Sequence, residues 1–246
     1  MLPSEFIRTG LHVEHSRITP ARFQVLGERS SGTNFVKRLL GRNTSLTPSE
    51  ELGWKHGFPS ALAIPLELAV ICVVRSADDW ARSMHAKPWH AIPSLQELGF
   101  SDFIRSPWQT VVDRAKYFKG SENIVGQPLQ ADRHPLTGDV FENLFALRQA
   151  KLQAMMSYLN RDCTCVFLRM EEVQNDPQAV LKQIVERLGL HENNAVFRPV
   201  HKRLGSKFKT AVDDRPMTPE VLSADDRAFL RNAIDPDQEA ALGYRY

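Results

Sequence analysis

The heptapeptide Leu68–Val74, Leu-Ala-Val-Ile-Cys-Val-Val, limits the fold more than any other stretch of this chain. It offers no polar face, and a strand apolar on both sides has to be covered on both sides, as in a parallel sheet flanked by helices. Two shorter runs of the same kind, Arg22–Gly27 (RFQVLG) and Cys163–Leu168 (CTCVFL), read as companion strands. Helical patterns alternate with them. Phe35, Val36, Leu39 and Leu40 recur at helical spacing over Thr33–Leu40, with Gly41 as a stop, and Ser76 with Asp79 opens a helix running toward Pro88. Leu144, Phe145, Leu147, Leu152, Met155, Met156 and Leu159 predict a long helix over Phe141–Leu159, and Asp176 caps a helix that has Pro177 at its first position and ends near Gly189. Alternating strands and helices predict an α/β fold, a three-layer sandwich on a mainly parallel central sheet. The 246 residues, without repeats or low-complexity tracts, suit one domain against a prior of roughly 150 residues each. Residues 90–140, with Pro93, Pro107, Pro128 and Pro135, read as an irregular insertion or lid within it.

Charge and cysteine usage narrow the function. Lys and Arg number 31 against 29 Asp and Glu, a net charge of +2, so a nucleic-acid coat is not expected. The three cysteines, Cys72, Cys163 and Cys165, lie within apolar runs, which argues against a disulfide framework or a zinc site and for a reducing compartment. No apolar stretch reaches the roughly 18 residues of a membrane span, and the N-terminal stretch has no uninterrupted apolar core. The expectation is a cytoplasmic protein that engages no membrane.

In a parallel α/β fold the turn after the first strand is a ligand site, because a helix N-terminus presents backbone N–H groups and a positive dipole end to anions. Here that turn is Gly27-Glu28-Arg29-Ser30-Ser31-Gly32-Thr33-Asn34. It has the G-x-x-x-x-G frame of a phosphate loop, but Thr33 and Asn34 stand where a nucleoside triphosphatase has Lys and then Ser or Thr. The groups that reach the outer phosphates and hold magnesium are missing, so the turn suits an anion better than ATP. It reads equally as a plain strand-to-helix turn with Ser and Thr caps. The Leu68–Val74 strand delivers Arg75, where a magnesium site would have Asp, and Ser83 follows eight residues later. A cation and a hydroxyl suit a second phosphate. The simpler alternative pairs Arg75 with Asp78 or Asp79 and leaves Ser83 an ordinary helix residue.

Taken together, these segments resemble the sulfotransferases that use 3′-phosphoadenosine-5′-phosphosulfate (PAPS). Ser31-Gly32-Thr33-Asn34 is similar to that family's 5′-phosphosulfate loop, and Arg75 with Ser83 to its 3′-phosphate motif. Val166–Pro177 resembles a further family segment, Leu144–Leu152 a helix of bacterial members, and Leu242-Gly243-Tyr244 a common ending. The resemblance implies a P-loop nucleotide-hydrolase-like topology and sulfuryl transfer from PAPS to a hydroxyl or amine of a sugar or small-molecule acceptor, with no metal required. It implies donor binding by Arg29, Ser30, Ser31, Gly32, Thr33, Asn34, Arg75 and Ser83. It also implies His56 as the base and Lys55 as the cation assisting the leaving group.

Four departures are visible. Ser30 occupies the family's basic position before Ser-Gly-Thr, with Arg29 one place earlier; Ala77 replaces a usual Pro. Lys55 and His56 are adjacent where the family has Lys-x-His. Lys202 and Arg203 are positional stand-ins for a loop over the 3′-phosphate, or part of a solvated basic loop. His85, His90 and His134, with Trp89, Trp108 and Arg133, are open to two readings, acceptor pocket or loop packing. Glu171 and Glu172 are rival bases or helix-start charges. A P-loop kinase or triphosphatase and a non-catalytic nucleotide-binding module remain as alternatives.

Overall fold

A computed structural model describes residues 2–15, 18–118, 120–191, 196–201 and 208–246. In chain order the elements are α1 (Ser4–Thr9), β1 (Leu11–Glu14), β2 (Arg22–Gly27), α2 (Thr33–Asn43), β3 (Thr47–Pro48), β4 (Leu68–Val74), α3 (Ala77–Ala86), α4 (Pro93–Gln96), α5 (Phe100–Arg105), α6 (Leu144–Met156), β5 (Cys165–Arg169), α7 (Met170–Asn175), α8 (Pro177–Arg187), α9 (Ala224–Ala233) and α10 (Pro236–Ala241). They form two compact units, one of Met1–Ser76, Lys151–Leu204 and Asp235–Arg245, the other of Ala77–Ala150, Gly205–Ile234 and Tyr246.

The first unit is an α/β fold on a mixed, mostly parallel five-stranded sheet of order β1-β5-β4-β2-β3. β4 lies between β2 and β5, parallel to both, and every one of its residues is buried, which is why it can be apolar throughout. Alternate residues face one core: Phe23 and Val25 of β2, Ile71 and Val73 of β4, and Val166 and Leu168 of β5 cluster with Val36, Leu39 and Leu40 of α2 and Ile184 of α8. On β5, Phe167 meets Phe6 of α1 edge-on.

β2 and β4 begin and end where the apolar runs do, and Asp176 Oδ1 accepts the Ala179 N–H at 2.9 Å to open α8 behind Pro177. Three boundaries differ, and one strand is additional. Helix α2 runs through Gly41 to Asn43 and ends with Thr44 N–H on the Leu40 carbonyl, so the glycine is not a stop; a Cβ there would make only ordinary contact with Pro48 Cγ, at 3.4 Å. β5 starts at Cys165, two residues late. α6 starts at Leu144, because Asn143 Oδ1 caps it through the N–H groups of Phe145 and Ala146, both at 2.9 Å, while Phe141 is drawn into an antiparallel bridge with Trp108. β1, which pairs antiparallel with β5 along Leu11–Glu14, has no counterpart in the sequence reading.

The second unit holds the 90–140 stretch, which contains short 3₁₀ turns, two short helices and isolated bridges such as Ala91↔Thr110 and Val111↔Pro128. Asp132, 2% exposed, ties it together by accepting from Thr110 Oγ1 at 2.8 Å. Two of its histidines are held by hydrogen bonds within it. His85 is fully buried, with Nδ1 against Thr218 Oγ1 at 2.6 Å and Nε2 against the Leu98 carbonyl at 3.0 Å. His134 Nδ1 accepts the N–H groups of Leu136 and Thr137 within its own turn. No helix among the described residues is long and apolar enough to cross a membrane.

Candidate functional site

The carboxyl ends of two neighbouring parallel strands, β2 and β4, carry the residues that the sequence singles out. β2 ends at Gly27, paired with Val73, and the chain has to turn at once to lay α2 over the sheet. A Cβ at Gly27 would stand 2.7 Å from the Val73 carbonyl oxygen, so only glycine fits. Gly32, at φ 97°, caps α2, and a Cβ there would overlap the Met170 sulfur. Ser30 also has a left-handed backbone, φ 65°. Ser31 is fully buried and braces the turn, its N–H and Oγ–H both donating to the Glu28 carbonyl, at 3.2 and 2.8 Å. No side chain caps α2; the first intrahelical bonds come from Phe35 and Val36 onto the Gly32 carbonyl. The Thr33 and Asn34 N–H groups therefore lie in the first turn, where a helix has no carbonyl of its own to meet them. That is an anion cradle in form.

The segment Trp54–Phe58 is fastened to the same glycine from two sides. Gly27 N–H donates to the Lys55 carbonyl at 3.0 Å, and His56 Nδ1 lies 2.6 Å from the Gly27 carbonyl. A carbonyl only accepts, so Nδ1 carries the proton and the lone pair of the neutral imidazole is on Nε2. Lys151, in the middle of α6, donates to the His56 carbonyl at 2.8 Å with its ammonium 3.9 Å from the Phe58 ring centre. Gly27, Lys55, His56, Phe58, Lys151 and Tyr158 are among the residues lining a small pocket here.

Lys55 meets the start of α2, its Nζ donating to Asn34 Oδ1 at 2.6 Å. Burial lowers its pKa to about 8, with Lys37 adding to the shift and Glu50 opposing it. Glu50 is itself paired with Lys37 at 2.9 Å. The phosphate-loop frame lacks a lysine in sequence, yet the fold brings one to the turn from another segment.

Arg75 follows β4, and its Nη1 donates to the Ser30 carbonyl at 3.3 Å, so the guanidinium adjoins the glycine turn. Asp79 pairs with Arg82. The next residue, Ser76, donates its N–H to Glu171 Oε1 at 2.8 Å, and Tyr244 Oη donates to Glu171 Oε2 at 2.9 Å. Glu171 thus holds the backbone beside Arg75, and Glu172 pairs with Arg169 at 2.9 Å; both serve as structural charges. Arg29 is buried with its guanidinium 5.6 Å from the Trp54 ring centre.

Arg29, Ser30, Ser31, Gly32, Thr33, Asn34, Lys55, His56 and Arg75 thus all lie in the first unit, while Ser83 lies on α3 of the second. Lys202 and Arg203 lie outside the described residues. Sequence reasoning missed Lys151 and the Glu171–Tyr244 pair as supports of this site. For Lys151 the sequence carries no distinguishing signal, since the same helix also holds Arg148, Gln149 and Gln153. Searches against protein-family models, curated proteins and solved structures give no match to this chain.

Proposed function

We propose that this chain is a PAPS-dependent sulfotransferase, on a P-loop-like three-layer α/β framework, acting on a hydroxyl or amine of a sugar or small-molecule acceptor. The observation that carries the reading is Arg75. At the end of the strand beside the glycine turn, where a nucleoside triphosphatase has a carboxylate for magnesium, a guanidinium reaches the turn itself, 3.3 Å from the Ser30 carbonyl. Two cations and a helix start around one turn suit a nucleotide that brings two anionic groups and no metal.

In this mechanism the N–H groups of Thr33 and Asn34 receive the 5′-phosphosulfate, and Arg75 receives the 3′-phosphate, whose binding energy goes into orientation. The acceptor oxygen attacks sulfur in line as the bond from sulfur to the bridging phosphate oxygen breaks. His56 Nε2 takes the acceptor proton, and the charge that develops on the departing phosphate faces the Lys55 ammonium. A positioned base of this kind contributes roughly 10²- to 10⁴-fold. The product is 3′-phosphoadenosine-5′-phosphate.

The test is thermal unfolding with that bisphosphate and, separately, with ATP and magnesium. The bisphosphate is expected to raise the melting temperature well beyond the ATP shift; equal shifts, or none from the bisphosphate, refute the reading. In a screen with labelled PAPS and pooled hydroxylated acceptors, His56→Ala should lower turnover roughly 10²- to 10⁴-fold and keep the bisphosphate shift. A wild-type protein that binds the bisphosphate but transfers nothing would be a binding module.

A further inference from the structure

We infer that Lys55 is a covalent capture site, whose amine forms a reversible imine with an anionic aromatic aldehyde seated in the pocket beside it. That pocket lies wholly in the first unit, and Lys55 is part of its wall. Lys55 Nζ is held at one point by donating to Asn34 Oδ1 at 2.6 Å. The acceptor is an uncharged amide, which takes a hydrogen bond from an amine as well as from an ammonium. The neighbouring lysines are set differently. Lys37 is paired with the Glu50 carboxylate at 2.9 Å, and Lys151, 5% exposed, has its ammonium 3.9 Å from the Phe58 ring centre. Both settings favour the cation. At Lys55 burial does the opposite and lowers the pKa to about 8, with Lys37 adding to the shift and Glu50 opposing it. At about pH 7.5 roughly a quarter of this side chain is therefore the neutral nucleophile, against roughly one part in a thousand of an ordinary lysine.

The rest of the wall selects the aldehyde. Trp54 and Phe58 offer aromatic surface and Leu26, Leu52 and Met155 aliphatic surface, which suits a flat ring. Lys55 and Lys151 bring two ammonium groups to the lining and Glu28 one carboxylate, so an anionic ring is drawn in and a cationic one is repelled. The step balances without a co-reactant. The Nζ lone pair attacks the carbonyl carbon, the C=O π bond opens to a carbinolamine, and its hydroxyl leaves with the remaining N–H proton as water while C=N closes. One water is released, nothing is oxidised or reduced, and hydrolysis reverses the capture.

The capture itself needs no nucleotide; only its consequence, that it blocks sulfuryl transfer by consuming the ammonium facing the departing phosphate, rests on the reading above. The experiment incubates the full-length chain at about pH 7.5 with p-carboxybenzaldehyde or, separately, with its uncharged methyl ester. Cyanoborohydride then reduces any imine to a stable amine, and peptide mass mapping locates the label. Lys55 is expected to be labelled roughly tenfold or more faster than any other lysine, and roughly tenfold faster by the carboxylate than by the ester, the effect of about one charge-assisted contact. Lys55→Met should lose this fast label, with melting temperature as the control for folding; the wild-type map decides by itself should the variant not fold. Label spread evenly over the lysines, or equal labelling by acid and ester, overturns the inference. Selective Lys55 labelling without a bisphosphate melting shift would refute the sulfotransferase reading and leave the capture site standing; a bisphosphate shift without selective labelling would refute the capture site alone.

Discussion

Replacing Lys55 by Met should stabilise the protein at neutral pH and lose that advantage in alkali. The ammonium's pKa falls from 10.5 to about 8, chiefly through burial, with Lys37 adding and Glu50 subtracting. At about 1.4 kcal/mol per pH unit, keeping the charge at pH 7 costs the fold about 3 kcal/mol. Below pH 8 the folded and unfolded chains are both protonated at this site, and the whole penalty is present. From pH 8 to 10.5 the unfolded chain holds a proton that the folded one has released, so this residue's contribution to stability rises with pH; above 10.5 the penalty is gone. Met removes the penalty at every pH but also the bond to Asn34 Oδ1, which at 2.6 Å and with a charged donor is worth about 1.5–2 kcal/mol. The net gain at pH 7 is therefore about 1–1.5 kcal/mol, or roughly 2–6 °C in melting temperature for a chain of this size. Near pH 9.5 wild type will have recovered about 2 kcal/mol, and the variant should be level or slightly less stable. Urea unfolding of both proteins at the two pH values measures this, since titrations common to both cancel in the difference. A difference between the proteins that does not change with pH refutes the reasoning. A variant that gains stability and yet loses affinity for the bisphosphate would show that the charge is kept for the ligand.

Other perturbations test other parts of the structure. Gly32→Ala should cost about 2–4 kcal/mol in urea unfolding, from the left-handed φ and the overlap with Met170, and Met170→Ala in the same chain should restore only the overlap part. At Asp226, burial pulls the carboxyl pKa up but hydrogen bonds from Arg105, Ser223 and Ser101 outweigh it, and the net shift is downward. The stability it confers is thus present above the unfolded value near 3.9 and lost as the pH falls through the folded one. Asp226→Asn should be about 2 kcal/mol less stable at pH 7 and lose less than wild type on acidification to about pH 2, as followed by circular dichroism. All three cysteines are buried; burial pushes Cys163 to about 12, and contact with Cys72 and then burial raise Cys165. Thiol reagents at about pH 8 should therefore label the chain only as fast as it unfolds, and quick labelling of the folded protein would contradict that burial.

What could be read without coordinates was whatever a few neighbouring residues settle among themselves. The bounds of β2 and β4, the Asp176–Pro177 helix start and the Ser30–Asn34 turn all follow from side-chain period, capping chemistry and backbone freedom, none of which extends past a helical turn or a strand. Gly41 misled for the same reason. Locally it reads as a helix stop, and only the continued backbone ladder to Asn43 shows that it is not. β1 was invisible because a four-residue edge strand is specified by its partner, β5, across the sheet.

The candidate site divides along the same line. Its residue types and their order stand in the linear chain: a glycine turn without a lysine, an arginine after a buried strand, a histidine between them. Their arrangement does not. Lys55 reaches Asn34 over 21 positions, Arg75 reaches Ser30 over 45, and Lys151 reaches the His56 carbonyl over 95. Whether a guanidinium reaches a turn 45 positions away depends on which strands lie side by side, and that is set by burial of apolar surface summed over the whole sheet. The chain alone therefore determined which chemical groups are at hand and how each is held locally; the packed sheet decided which of them meet, because proximity between distant residues is a property of the core and not of any segment within it.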